Sequence, residues 1–178
     1  MSAIEQAAGS IPPPRSPAGP YRICLVCLGN ICRSPTAEVV LREELDKAGL
    51  SGKAVVDSAG TGDWHLGEPM HAGARAELTR RGLDGSGHQA RQIERSWLAD
   101  YDLVLAMDGR NLASLRRMAG DDPGQAGRIQ LMRSFDPESE HGAEVPDPYD
   151  GSPEEFAEVF DLVAAAARGV ARKLAAAL

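Results

Sequence analysis

The sequence predicts an α/β fold in which helices cover both faces of a central parallel sheet. Short apolar runs, which favour buried strands, alternate along the chain with segments whose apolar residues recur at helical spacing. Several runs are apolar at nearly every position, which is typical of strands covered on both faces. With 178 residues and a 43% hydrophobic content, the chain is long enough for one domain with a sizeable core.

Four strands are predicted from these runs, at residues 21–26, 54–57, 102–107 and 128–132. Four parallel strands with connecting helices fit a flavodoxin-like three-layer sandwich, in which the sheet is the central layer. Ligands of such folds bind beyond the carboxyl ends of the strands. The segment that follows the first strand is therefore the expected site.

Three helices are predicted from apolar spacing and from signals at their ends. In the first, Ser34 would be the N-cap, a proline would occupy the first helical position, and Gly49 would end the helix. The second lies around residues 72–81. The last begins at Ser152, where a glutamate three positions later completes a capping-box pattern.

The proline-rich start of the chain lacks apolar periodicity, so we expect residues 1–20 to be a disordered tail and residues 21–178 to be the single domain. The formal net charge of −7 argues against a nucleic-acid partner, because such binding depends on clustered basic residues. No apolar run is long enough for a membrane helix, and the N-terminus lacks the pattern of a secretory signal. We therefore expect a cytoplasmic protein that does not insert into membranes.

Three cysteines, Cys24, Cys27 and Cys32, lie within nine positions, and none follows. A disulfide framework would spread its cysteines along the chain, so this cluster indicates reactive thiols or metal ligands. On a strand, the sulfurs of Cys24 and Cys27 point to opposite faces, which suits neither zinc binding nor a disulfide. We expect no metal and no cofactor.

Residues 27–34 combine the groups that bind a phosphate dianion and attack it. Gly29 allows the backbone to curl so that its N–H groups form an anion-binding nest, to which the next helix adds its positive end. Arg33 offers a planar fork that matches two phosphate oxygens. Cys27 is the predicted nucleophile, because a helix N-terminus and a nearby arginine favour the thiolate.

The other loop residues are expected to contact the substrate. They are Leu28, Asn30, Ile31, Cys32 and Ser34. The hydroxyl of Ser34 is also placed to donate to the Cys27 sulfur. Cys32, whose thiol lies in the same tight loop, could also capture an oxidised Cys27 as a reversible disulfide.

Residues 26–35 resemble the active-site loop of the low-molecular-weight protein tyrosine phosphatases, including its place after a strand near the chain start. The resemblance extends over residues 21–178 and is closest to bacterial members. Further segments similar to the family are residues 57–61, 64–67, 88–93, 106–108 with Asn111, and 147–149. The resemblance implies hydrolysis of phosphotyrosine or of other aryl phosphate monoesters.

The resemblance also implies a two-step reaction. Cys27 would form a phosphocysteine, Arg33 would bind the phosphate, and Asp147 would serve as general acid and then general base. The residues alone leave Asp136 open as the acid, because both aspartates precede a proline. The family position favours Asp147.

Four more residues are expected around the loop. The resemblance places Trp64 at the mouth of the site, and with Tyr149 it could sandwich a phenyl ring. It also places His88 and Ser58 in a hydrogen-bond network with Asn30. These two residues would support the loop.

Asp150 follows this tyrosine at a position where many family members have a second tyrosine. An acidic side chain there is expected to bear on the charge preference for substrates. The remaining histidines are scattered along the sequence and are expected to be exposed. They are His65, His71 and His141.

Two other functions stay open. An arsenate reductase of this fold would need cysteines downstream of Cys32, where this chain has none. A non-catalytic phosphotyrosine-binding module would need the anion nest but neither Cys27 nor Asp147. For the phosphatase, the expected partners are a phosphotyrosine-containing protein or a small aryl phosphate, and a cognate tyrosine kinase.

Overall fold

The computed structural model describes residues 8–178. Its sheet has four parallel strands, β1 (Tyr21–Cys27), β2 (Ala54–Gly60), β3 (Leu103–Ala106) and β4 (Ile129–Leu131), in the order β2-β1-β3-β4. This order is that of a flavodoxin-like, doubly wound sheet. The predicted fold class and all four predicted strands are confirmed, with shifts of a few residues at their ends.

Different helices cover the two faces of the sheet. On one face lie α1 (Arg33–Lys47), α2 (Ala72–Arg80) and α5 (Pro153–Ala177), and on the other lies α3 (Gly109–Ala119), which is followed by the short α4 (Pro123–Ala126). The result is the three-layer sandwich that the sequence predicts. Among residues 8–178, no helix is both long and apolar enough to cross a membrane.

The side chains of β1 alternate between the two hydrophobic clusters. Ile23 and Leu25 pack with α1 and α5, whereas Cys24 and Val26 pack with α3. Cys24 is fully buried on the face opposite Cys27. The strand therefore aims the two sulfurs apart, as its period of two residues predicts.

The helix ends match the predictions in one case and differ in another. The capping box of Ser152 and Glu155 is present at the start of α5. Ser34, however, is not an N-cap: the first helical residue is Arg33 rather than Pro35, and the N-cap is Cys32, which makes no capping bond through its side chain. The Ser34 hydroxyl lies instead 3.0 Å from Cys27 Sγ. The sequence analysis assigned no helix to the α3 segment.

Residues 8–20 form no helix or strand, but they are hydrogen-bonded to the domain. The backbone N–H of Arg15 donates to Asp102 Oδ1 over 2.6 Å, and Arg15 Nε donates to the Tyr101 carbonyl over 2.7 Å. This ordered packing differs from the disordered tail expected there. Its partners lie just before β3, far along the chain, and the composition of the segment itself could not predict them. Residues 1–7 lie outside the described part of the chain.

Candidate active site

The loop between β1 and α1 lies at the carboxyl edge of the sheet, where the fold places ligands. Its turn depends on Asn30, which adopts a left-handed backbone with φ of 58°. Asparagine tolerates this conformation better than most residues. The Asn30 side chain holds the turn, since Nδ2 donates to Ser34 Oγ and Ser58 Oγ over 2.9 Å each, and Oδ1 accepts the Arg91 N–H over 2.9 Å.

The predicted supporting network is present behind this turn. His88 Nε2 lies 2.6 Å from the Asn30 carbonyl oxygen, so this ring nitrogen carries the proton. Ser58 Oγ donates in turn to Glu38 Oε2 over 2.6 Å. The structure thus brings Asn30, Ser58 and His88 together, and it adds Glu38, to which the sequence analysis gave no role.

The sulfur of Cys27 sits inside the loop, with the residue only 3% exposed. It accepts the Asn30 backbone N–H over 3.3 Å and lies 3.0 Å from Ser34 Oγ, as the sequence analysis expected. Asn30 and Ser34 are fully buried, and neither lines the cleft in front of the sulfur. Their side chains therefore lie behind the Cys27 sulfur, which differs from the substrate contact expected for them.

Cys32 faces the same cleft as Cys27. Burial, reinforced by the negative charge of Cys27, raises the pKa of the Cys32 thiol to about 12. At neutral pH this side chain stays protonated.

Arg33 is the buried cation of the site, with a side chain only 4% exposed. Its Nη1 donates to Asp108 Oδ2 over 2.7 Å and to the Val145 carbonyl over 3.1 Å. Burial opposes the charge, but the hydrogen bond to Asp108 and the nearby carboxylates hold the pKa of Arg33 above its usual value. The sequence analysis gave Asp108 no role, although an aspartate just after β3 lies at the edge where ligands bind.

The structure separates the two Asp-Pro aspartates. Asp147 lines the cleft beside Cys27 and Arg33, with Oδ2 at 3.6 Å from Arg33 Nη2 and a side chain that is 48% exposed. Asp136 lies outside the cleft, where its Oδ1 accepts the Glu138 N–H over 3.0 Å in a local turn. Only Asp147 is within reach of a ligand in the loop.

The cleft has a volume of about 740 Å³ and an aromatic mouth. Trp64 and Tyr149 line it and are 67% and 46% exposed. The structure thus brings both predicted aromatic residues to the site, together with Asp150 at the rim. The loop residues Leu28, Gly29 and Ile31 also face this space.

Two histidines that were expected to be exposed are partly buried beside Tyr149. His65 lines the cleft, with its ring centroid 5.9 Å from that of Tyr149, and its Nδ1 lies 2.8 Å from Glu68 Oε2. His71 is partly buried, with its ring 5.4 Å from that of Tyr149. The one sequence signal that His65 would line the cleft was its position next to Trp64. His141 is exposed, as expected.

Among residues 8–178, no group of three or more histidine, cysteine, aspartate or glutamate side chains is arranged to hold a metal ion. The loop N–H groups, the N-terminal end of α1 and Arg33 are positive groups that face a phosphate held in the loop.

Comparison with known proteins identifies the family. The model of the family described as low molecular weight phosphotyrosine protein phosphatase matches residues 22–178. A low molecular weight protein-tyrosine-phosphatase of Streptomyces coelicolor is 45% identical over 151 residues, which cover 84% of this chain and 91% of the relative. Among solved structures, YfkJ from Bacillus subtilis has a TM-score of 0.81 at 38% identity, covering 89% of this chain and 97% of that chain. Vibrio vulnificus Wzb, solved in complex with benzylphosphonate, has a TM-score of 0.74 at 32% identity, covering 87% of this chain and 99% of that chain. The chain belongs to the low-molecular-weight protein tyrosine phosphatases.

Proposed function

We propose that this phosphatase hydrolyses phosphotyrosine in proteins, or other aryl phosphate monoesters, through a phosphocysteine on Cys27. One observation carries the proposal: a single cleft holds the Cys27 sulfur, the Arg33 guanidinium, the Asp147 carboxylate and an aromatic mouth. Membership of the family supports the same reaction.

The first step transfers the phosphoryl group to the enzyme. The Cys27 sulfur attacks phosphorus, the bond from phosphorus to the aryl oxygen breaks, and that oxygen takes the proton of Asp147. Arg33 and the loop N–H groups stabilise the charge that develops on the three equatorial oxygens. The half-exposed position of Asp147 at the rim suits a leaving group that departs outward.

The second step releases phosphate. Asp147, now a carboxylate, takes a proton from water as the water oxygen attacks phosphorus, and the bond between phosphorus and sulfur breaks. The sulfur leaves as a thiolate, which the Asn30 N–H and the Ser34 hydroxyl are placed to stabilise. The enzyme returns to its starting state.

An aromatic leaving group is favoured by the walls of the cleft. Trp64 and Tyr149 offer two exposed rings at the mouth, against which a phenyl ring can pack. The benzylphosphonate complex of Vibrio vulnificus Wzb supports this assignment, because its ligand joins a phosphoryl group to an aromatic ring.

The proposed substrate is a phosphotyrosine-containing protein or a small aryl phosphate. A cognate tyrosine kinase as partner and a cytoplasmic location stay predictions from the sequence. An arsenate reductase is disfavoured because no cysteine follows Cys32 to receive a disulfide. A pure binding module is disfavoured by the presence of both Cys27 and Asp147 in the cleft.

Turnover of p-nitrophenyl phosphate tests the proposal. We expect Cys27→Ser to abolish turnover, and Asp147→Asn to lower kcat at least about a hundredfold through loss of the general acid. Asp136→Asn, in the other Asp-Pro pair, is the matched control and should keep parental activity. A large loss in Asp136→Asn with none in Asp147→Asn would refute the assigned acid. An inactive parent that still binds phosphopeptide would favour the binding module.

A further inference from the structure

His71 lies between a buried aromatic ring and an exposed one. Its imidazole stacks on Phe156 of α5, with centroids 5.1 Å apart and planes at 24°, and it meets Tyr149 edge-on at 5.4 Å and 62°. Phe156 is 4% exposed, whereas Tyr149 is 46% exposed at the mouth of the cleft. The imidazole therefore connects the cleft wall to a ring that the core holds in place.

The backbone and the ring of His71 are themselves fixed. The His71 N–H donates to the Ile31 carbonyl of the phosphate-binding loop over 2.9 Å. His71 is also the N-cap of α2, and its Nδ1 accepts the Gly73 N–H over 3.0 Å. Because a backbone N–H can only donate, this ring nitrogen is unprotonated. The orientation of the imidazole is thus set by the same segment that approaches the loop.

The approach of α2 to Phe156 depends on a glycine. A Cβ at Gly73 would lie 2.5 Å from the Phe156 ring, well inside van der Waals contact. A larger residue there would separate the N-terminus of α2 from α5. The close fit is what places His71 directly on the Phe156 ring.

Tyr149 has no comparable support from its own segment. Its backbone N–H donates to Asp147 Oδ1 over 3.1 Å, which fixes the turn but does not involve the ring. The ring is approached by His65 at 5.9 Å on one side and by His71 at 5.4 Å on the other. His65 is paired with the half-exposed Glu68 rather than with the core.

We propose that His71 is a positioning residue that holds the Tyr149 ring as a wall for the aryl group of the substrate. The inference rests on the proposed function, because the wall matters only when the leaving group is aromatic. His71 does not line the cleft that holds Cys27 and Arg33, and the proton donor Asp147 is set by a hydrogen bond within its own turn. Loss of the imidazole should therefore weaken binding of the aryl group without slowing the chemical step.

The test separates the ring of His71 from its capping role. His71→Asn keeps an oxygen that can accept the Gly73 N–H, since asparagine is a favoured N-cap, and removes the ring. We expect KM for p-nitrophenyl phosphate to rise about three- to tenfold, the range expected for loss of one aromatic pair. Parental kcat and a parental inhibition constant for inorganic phosphate should remain, because phosphate alone does not reach the wall. His141→Asn, at an exposed histidine outside the cleft, is the matched control.

A second variant keeps the ring and removes the cap. His71→Phe should retain a KM close to the parental value even though loss of the cap lowers its stability. In a Tyr149→Leu background, where the wall is already gone, His71→Asn should add no further rise in KM.

Three results would each overturn the inference. One is a parental KM in His71→Asn, and another is an equal weakening of the binding of inorganic phosphate and of aryl phosphate, which would indicate a general effect on the loop. A rise in KM for His71→Phe as large as that for His71→Asn would do the same. A parent that binds phosphate but does not hydrolyse p-nitrophenyl phosphate would instead overturn the proposed function, and this inference with it.

Discussion

Replacing Asp108 by asparagine removes the nearest countercharge of Arg33 while it keeps the cap of α3. Asp108 Oδ1 accepts the Asn111 N–H over 2.8 Å, and Oδ2 accepts Arg33 Nη1 over 2.7 Å. The amide of asparagine preserves the first bond but presents N–H to N–H at the second. Arg33 is 4% exposed, so water cannot replace the lost acceptor. Breaking a buried ion pair costs about 3–5 kcal/mol, and the partial exposure of Asp108 favours the lower end, about 3 kcal/mol.

The second carboxylate near Arg33 provides the comparison. Asp147 lies 3.6 Å away and is 48% exposed, so Asp147→Asn should change the free energy of unfolding by about 0–1 kcal/mol. Urea unfolding of both variants, followed by tryptophan fluorescence in phosphate-free buffer, measures the difference. Asp108→Ala should lose about 1 kcal/mol more than Asp108→Asn, because it also removes the cap. Equal losses in Asp108→Asn and Asp147→Asn would refute the reasoning.

Three other outcomes are expected. Arg15→Ala should lower the free energy of unfolding by about 1–3 kcal/mol through loss of charged hydrogen bonds, whereas Arg116→Ala, at an exposed site, should change it by less than about 0.5 kcal/mol; equal values in urea unfolding would contradict this. Iodoacetamide at neutral pH should label Cys27 and spare Cys32, whose pKa burial raises to about 12, and mass spectrometry that finds both equally labelled would disprove it. Asp150→Asn should lower KM for phosphopeptides with acidic neighbours about two- to threefold at low salt, an effect that 0.5 M salt should largely remove through screening; a salt-independent effect would point away from charge.

The sequence was most informative where the chemistry is local. Cys27 and Arg33 lie on one short loop between a strand and a helix, so their spacing, together with Gly29 and the start of the helix, predicts a phosphate site. The alternation of apolar runs likewise predicts the sheet, because each strand is buried on both faces. The family resemblance added Asp147, which composition could not distinguish from Asp136.

The rest depends on contacts between distant parts of the chain. His71 matters because its ring contacts Tyr149 and Phe156, the latter on α5. The local sequence around His71 does not predict these contacts. Arg15 was expected in a disordered tail for the same reason, since its partners lie more than 80 positions away. The contact between the Ser34 hydroxyl and the Cys27 sulfur is local and was predicted, although α1 begins at Arg33 rather than after Ser34.

The packing of residues 8–20 also sets an order for the completion of the fold during synthesis. Gly9 meets the Ser134 carbonyl through its N–H and the Lys173 ammonium through its carbonyl, and Arg15 meets Gln125. Every one of these partners leaves the ribosome long after the segment that it holds. At about 5–20 residues per second, residues 8–20 wait on the order of ten seconds for the last of these contacts. Until that contact forms, the segment is accessible to proteases and chaperones.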